Sequence, residues 1–162
     1  MASVERSRIE PMTRAALPAG LWCASIPVRF GHCDPAGIVF TPRYFDILVE
    51  AVERFFLEAL GIDYYGLLTG RRIGLGYVHA SCEYLKPSQM GDRLEVGVLV
   101  ERIGQASYTL VLPVLRDDVE VVRGRLVTAP TSLDTRRSIP IPPDIRTALE
   151  GYRERCGPLP VL

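Results

Sequence analysis

The feature that most constrains this chain is a change of period on either side of residue 61. Between Thr41 and Gly61 the apolar residues recur at helical spacing, at Phe45, Leu48, Val52, Phe55, Phe56 and Leu60. From Leu75 to about Thr131 they alternate instead. Leu94, Val96, Val98 and Val100 form one such run and Tyr108, Leu110, Leu112 and Val114 the next, the period of strands packed on one face. The spacing predicts a helix from about Pro42 to Leu60, capped by Thr41, with Pro42 where its missing N–H costs nothing. Phe40 and Phe45 occupy the positions of a hydrophobic staple, and Gly61 is placed to close the helix. About twenty residues at 1.5 Å each make it roughly 30 Å long. A single long helix with an apolar stripe has to bury that stripe, and the strands are what the chain offers to cover it. The expected class is α+β: a long central helix wrapped by a curved antiparallel sheet of five or six strands.

The remaining signals fill in this frame. Ser25–Phe30 reads as a short strand, and Gly104–Gln105 and Asp117–Asp118 read as hairpin turns between the later ones. Pro113 cannot donate to a ladder, so it implies an edge or a bulge. A last helix is expected from about Pro143 to Arg155. Residues 1–20 lack periodicity, contain Pro11 and Pro18, and read as a flexible arm. Residues 21–156 then form the one domain that 162 residues suggest, with 157–162 as a tail.

Composition removes several classes of function. Nineteen basic residues balance nineteen acidic ones, with a pI near 6.7, against the basic excess of a nucleic-acid binder. No apolar run approaches the roughly 18 residues of a membrane-spanning helix, and the N-terminus carries no secretory pattern. The cysteines at 23, 33, 82 and 156 form no Cys-x-x-Cys pair, and only two histidines accompany them. That argues against a metal site and for a reducing, cytoplasmic location.

The chemistry-bearing stretch is Arg29-Phe-Gly-His-Cys-Asp-Pro-Ala-Gly-Ile-Val-Phe-Thr-Pro42. It sets His32, Cys33 and Asp34 in succession, just ahead of a helix N-terminus whose free N–H groups and partial positive charge suit a developing oxyanion. A carboxylate folded back beside that point can serve as nucleophile or general base. Cys33 has no second histidine nearby and reads as a small buried filler. His32 either shapes the loop or touches substrate. His79 reads as a lining or surface residue, and Arg71–Arg72 and Arg136–Arg137 as solvated faces.

The run Phe30–Phe40, followed by Pro42-Arg-Tyr-Phe45, resembles the signature of the 4-hydroxybenzoyl-CoA thioesterase family. These are hotdog-fold acyl-CoA thioesterases, related to the Tol–Pal-associated thioesterases. The resemblance continues in Glu83-Tyr-Leu-Lys-Pro87, Gly91-Asp92 and Val100-Glu-Arg-Ile-Gly104 leading to Ser107-Tyr108, and it covers about residues 22–150. It implies a hotdog fold and hydrolysis of an acyl-CoA to free acid and CoA, without metal or any cofactor beyond the CoA of the substrate. It places the catalytic carboxylate on Asp34 and the carbonyl-polarising backbone N–H on Thr41. His32, Gly37, Phe40, Tyr44 and Arg102 become candidate substrate contacts. It also implies a homodimer or homotetramer, with sites at the interface.

Two departures stand out. The Tol–Pal branch has a histidine at the Thr41 position. The aromatic-acyl branch has a basic cluster in the turn that here reads Ile103-Gly-Gln-Ala106, leaving Arg102 alone for the CoA phosphates. The Asp-Pro-Ala-Gly-Ile-Val form points toward an aromatic acyl group. A dehydratase or hydratase of the same fold, and a non-catalytic acyl-CoA binding module, are the competing functions.

Overall fold

A computed structural model describes residues 9–162. The elements run β1 (Cys23–Pro27), α1 (Arg43–Glu58), α2 (Tyr64–Thr69), β2 (Ile73–Tyr84), β3 (Arg93–Gly97), β4 (Leu99–Ile103), β5 (Tyr108–Arg116), β6 (Val119–Ser132) and α3 (Pro143–Cys156). The six strands form one antiparallel sheet in the order β1-β3-β5-β6-β2, and β4 pairs with β5 beside β3. The α+β expectation holds, with six strands.

Helix α1 buries Tyr44, Ile47, Leu48, Ala51, Val52, Phe55 and Phe56, the face that the periodicity marks. It lies close on the sheet: a Cβ at Gly124 of β6 would come within 2.6 Å of Leu48 Cδ1, so only glycine fits under the helix there. At the far end Phe55 packs on Trp22 and Tyr152, with ring centroids 5.6 and 4.7 Å away. Gly61 turns left-handed (φ +68) just beyond the helix, where the Ile62 N–H donates to Phe56 O at 2.8 Å.

The start of α1 differs from expectation. Thr41 makes no side-chain cap. Pro42 already has helical dihedrals (φ −64, ψ −24), and a turn closed by the Arg43 N–H on Phe40 O (2.7 Å) stands in place of the cap. Phe40 is half exposed, so no buried staple forms.

Pro113 sits neither at an edge nor on a bulge, but at a seam. On one side β5 pairs with β4 through Val111 and with β3 from Val114 onward, leaving Leu112 and Pro113 unpaired where β3 and β4 break at Val98. The proline lacks an N–H at the one place in a central strand where none is called for. The broken ladder is repaired from elsewhere. The Val98 N–H donates to Trp22 O (3.3 Å), and the Tyr152 hydroxyl donates to Val98 O (2.7 Å) while accepting from the Trp22 N–H (3.1 Å).

The β5–β6 hairpin turns on Asp117–Asp118, both at positive φ (50° and 62°), the conformation a two-residue turn demands. The expected flexible arm covers residues 1–20, of which 1–8 lie outside the described residues. The rest of it is docked rather than free. Met12 and Leu17 are buried, the Met12 N–H donates to Glu120 Oε2 (2.9 Å), and the Glu120 N–H returns a bond to Met12 O (2.9 Å). Glu120 is itself fully buried against Arg123, 2.6 Å away, so the segment closes over an ion pair the sheet could not leave bare. No helix among the described residues is long and apolar enough to cross a membrane.

Candidate active site

The loop between β1 and α1 is a hairpin hung on a single 3-10 turn, Phe30–His32. Asp34 and Ile38 face each other across three residues, with the Asp34 N–H donating to Ile38 O and the Gly37 N–H to Asp34 O, both at 2.9 Å. Pro35 presets the turn and Gly37 takes the left-handed conformation (φ +79) that closes a three-residue hairpin. The Ala36 N–H donates to Asp34 Oδ1 at 2.8 Å, fixing the half-buried carboxylate at the head of the turn. The other arm is tied to the segment before β3: the Val39 N–H donates to Ser88 O (2.8 Å) and the Met90 N–H to Gly37 O (3.2 Å).

That segment is braced in turn by Asp92. Its Oδ2 accepts from the Gln89 N–H and from Arg116, each at 2.8 Å, and Arg116 also reaches Pro87 O. Burial works against the Asp92 charge, but the Gln89 N–H and the Arg116 guanidinium outweigh it and hold the carboxyl below its ordinary pKa.

Two hollows flank the arm formed by residues 37–39. One, of about 340 Å³, is lined by Asp34 and Gly37 with Phe30, Cys33, Pro35 and Met90. The other, of about 230 Å³, is lined by Thr41 and Tyr44 with Ile38, Tyr84, Leu85 and Lys86 among others. The Thr41 N–H has no acceptor among the described residues, whereas the next three N–H donors at the helix start, those of Arg43, Tyr44 and Phe45, are taken up by Phe40, Thr41 and Pro42 carbonyls. Thr41 therefore offers a donor just ahead of a 16-residue helix and lines a largely apolar hollow. Tyr44, only 3% exposed, stacks on Tyr84 with centroids 5.6 Å apart. Burial pushes the Tyr44 hydroxyl's pKa up, and pushes that of Tyr84 up to about 12, so both are neutral hydroxyls.

The structure thus gathers Asp34, Gly37, Thr41 and Tyr44 around one loop but sets Asp34 and Thr41 in separate hollows of the single chain. Phe40 is on the surface between them. His32 occupies a third, smaller recess with Glu50. Arg102 lies on β4 opposite Thr109 and lines none of these hollows. Tyr84 and Lys86 join the Thr41 hollow from the Glu83–Pro87 stretch. That stretch stood out in the sequence, but nothing there assigned those two a role. Phe30 opens the quoted Phe30–Phe40 run without a role of its own, and Met90 had no such signal.

The rim is unusually apolar for a surface. Phe30 (83% exposed), Met90 (54%), Phe40 (51%), Tyr84 and Ile38 all stand out around the loop. A larger hollow of about 460 Å³ opens between Arg123, Arg125, Ser81 and Glu83. It holds no candidate residue, and its guanidinium groups are already paired, Arg123 with Glu120 and Arg125 with Glu101. Among the described residues no group of three or more His, Cys, Asp or Glu side chains is placed to hold a metal ion.

Comparison with known proteins agrees with this geometry. The profile described as the thioesterase-like superfamily matches residues 28–149. The 1,4-dihydroxy-2-naphthoyl-CoA hydrolase of Nostoc punctiforme is 30% identical over 128 residues, covering 78% of this chain and 84% of that protein. The solved structure of a gentisyl-coenzyme A thioesterase is 26% identical, with a TM-score of 0.73 and coverage of 79% of this chain and 99% of the other. A 1,4-dihydroxy-2-naphthoyl-CoA thioesterase from Synechocystis, 21% identical, shares the fold with a TM-score of 0.72 over 80% of this chain and 95% of its own. A matching profile over three-quarters of the chain, on an antiparallel sheet packed against one long helix, makes this a hotdog-fold member of the thioesterase-like superfamily.

Proposed function

We propose that the protein hydrolyses an acyl-CoA thioester to the free acid and CoA, with an aromatic acyl group as the preferred substrate. The observation that carries this is the Thr41 N–H at the head of α1, without an acceptor among the described residues, on a residue that lines an apolar hollow one loop arm away from Asp34. A thioester carbonyl oxygen resting on that N–H gains both its hydrogen bond and the positive end of the helix, and the gain grows as the oxygen becomes an oxyanion. Asp34 then attacks the carbonyl carbon to form a mixed anhydride that water cleaves, or takes a proton from water as it attacks. Either route consumes one water and releases one thiol, and needs only protein groups and solvent.

Two features support an aromatic acyl group. The Thr41 hollow, at about 230 Å³, exceeds the roughly 150 Å³ that suffices for a benzene ring, and its walls are largely aliphatic and aromatic. The relatives named above act on hydroxylated aromatic acyl-CoAs. The nearness of the loop to the 4-hydroxybenzoyl-CoA form fits the same class.

The two hollows become one cleft, in this reading, when a second copy covers the rim. Among the described residues the 12-residue strand β2 ends the sheet with no further strand on its outer side, with Val78 66% exposed, and is the natural seam for a homodimer. The test is thiol release from a panel of 1,4-dihydroxy-2-naphthoyl-, gentisyl-, 4-hydroxybenzoyl- and straight-chain acyl-CoAs. Aryl-CoA hydrolysis is expected to lead. Conversion of an enoyl-CoA without thiol release would instead mean a hydratase, and binding without turnover a carrier or sensor. Sedimentation should give a dimer or tetramer; a stable monomer at micromolar concentration contradicts the shared cleft.

A further inference from the structure

His32 is tied to both arms of the site loop. Its Nδ1 accepts from the Arg29 N–H at 3.1 Å, while its own N–H donates to Arg29 O at 2.9 Å, so the ring clamps the 3-10 turn from which Asp34 emerges two residues later. Its carbonyl accepts from the Phe40 N–H at 2.9 Å, immediately before Thr41. The ring sits half-buried in a recess of about 90 Å³ and lines neither of the hollows that hold Asp34 and Thr41. The charged groups facing that recess are Arg29 from the same turn and Glu50 from α1; β1 contributes only Ile26 and Pro27.

A neutral imidazole has one donor and one acceptor nitrogen. An Nδ1 that accepts from a backbone N–H places the proton on Nε2. An imidazolium has no acceptor, so protonation would set an Nδ1–H against the Arg29 N–H and break the clamp.

We infer that His32 is a positioning residue. Its neutral ring, by accepting the Arg29 N–H, holds Asp34 and the Thr41 N–H in working register, and acid switches the loop off by protonating it. The inference rests on the assignment of Asp34 and Thr41 proposed above. It differs from a substrate-contact role because the ring is spent on the backbone of its own loop.

Two substitutions separate the alternatives. His32→Gln keeps a side-chain carbonyl acceptor that does not titrate, whereas His32→Leu removes the acceptor. The wild-type kcat/KM on the best aryl-CoA is expected to fall on acidification with a midpoint that matches the NMR titration of the His32 ring, assigned against His79→Gln. His32→Gln should stay within about threefold of the wild-type plateau and lose that acid limb. His32→Leu should fall about tenfold or more at every pH, with an unchanged far-UV spectrum.

Hydrogen exchange of the Arg29 amide reads the clamp without reference to turnover. Its protection relative to the intrinsic exchange rate at each pH should be high in the wild type and His32→Gln, and lost in His32→Leu and, for the wild type, in acid. A His32→Gln enzyme as impaired as His32→Leu would overturn the inference, since the ring itself would then be needed. So would a His32→Leu enzyme with wild-type rates and Arg29 exchange. If instead Arg29 exchange follows the ring while Asp34→Asn keeps full turnover, the assignment of the site falls and the clamp stands.

Discussion

Two of the places where regular structure is interrupted in this molecule are treated in opposite ways. At the β3–β4 seam the ladder breaks at Val98, yet the Val98 N–H and C=O find Trp22 and Tyr152, Tyr152 also serves the Trp22 N–H, and Pro113 removes the facing donor altogether. At the head of α1 the Thr41 N–H has no acceptor among the described residues, and the neighbouring Phe40 and Tyr84 are exposed. An unpaired buried donor costs about 1–3 kcal/mol, so the seam is closed for stability. An unpaired accessible donor costs far less and remains available to a ligand. The proposed site follows this contrast: the repaired break serves as scaffold, and the open one is where a ligand is proposed to bind.

The largest expected effect is on the open side. Asp34→Asn keeps the shape of the turn and an oxygen that can accept the Ala36 N–H, but removes the charge. Turnover on the best acyl-CoA should fall by roughly 10²–10⁴-fold or more, while binding of a non-hydrolysable analogue survives in calorimetry. Unchanged turnover would return Asp34 to the role of a turn residue before a proline. Thr41→Pro removes an N–H that has no acceptor among the described residues, and nothing else of the backbone's hydrogen bonding. A loss of roughly 10²–10³ in kcat is expected, the worth of one oxyanion donor, with the melting temperature nearly unchanged. A large drop in stability instead would mean that the N–H is structural, and the comparison would fail.

The closed side should answer in stability and not in chemistry. Tyr152→Phe leaves Val98 O and the Trp22 N–H without their partner, at an expected cost of about 1–3 kcal/mol by denaturant titration and with wild-type kcat.

Asp92 lies between the two behaviours, because it braces the segment on which the site loop rests. Its folded pKa is lowered, so its contribution is complete above the unfolded carboxylate value near 4 and is lost as pH falls through the depressed one. Asp92→Asn should therefore destabilise by about 1–3 kcal/mol at neutral pH, a gap that closes on acidification. A gap that widens in acid would reverse the sign and refute the brace.

Much of this was legible in the residues themselves. The two periods gave the helix and the sheet because the stripe on α1 and the alternation along β3 each report one buried face, whereas β5 is buried on both faces from Tyr108 to Leu115. Asp117–Asp118 announced its turn through local chemistry, and Asp34, Gly37 and Tyr44 line the hollows beside the loop. What could not be read came from contacts distant in sequence. The alternation of Leu94–Val100 passes straight through the break at Val98, which exists only because Trp22 and Tyr152 arrive there. Met12 is buried by Glu120, 108 residues away. Arg102 carries the right charge for a phosphate, but the β4 register puts it opposite Thr109 rather than at either hollow. Asp63 caps α2 through the Tyr65 N–H, a short-range signal that could have been found and was not.

The smallest expected effect is the sharpest test of whether backbone or side chain acts at residue 41. A threonine at a helix start ordinarily earns its place as a cap, and removing such a cap costs about 1 kcal/mol. Here the side chain caps nothing, since helical geometry begins at Pro42 and the turn is closed by the Arg43 N–H on Phe40 O. Thr41→Ala should therefore lower stability by less than about 0.5 kcal/mol, the usual span of a surface substitution, and change kcat by less than about threefold. Its N–H is intact, so it should differ from Thr41→Pro by roughly 10² or more in kcat. If Thr41→Ala instead matches Thr41→Pro, the hydroxyl is the working group, and the open donor at the head of α1 is not what binds the carbonyl.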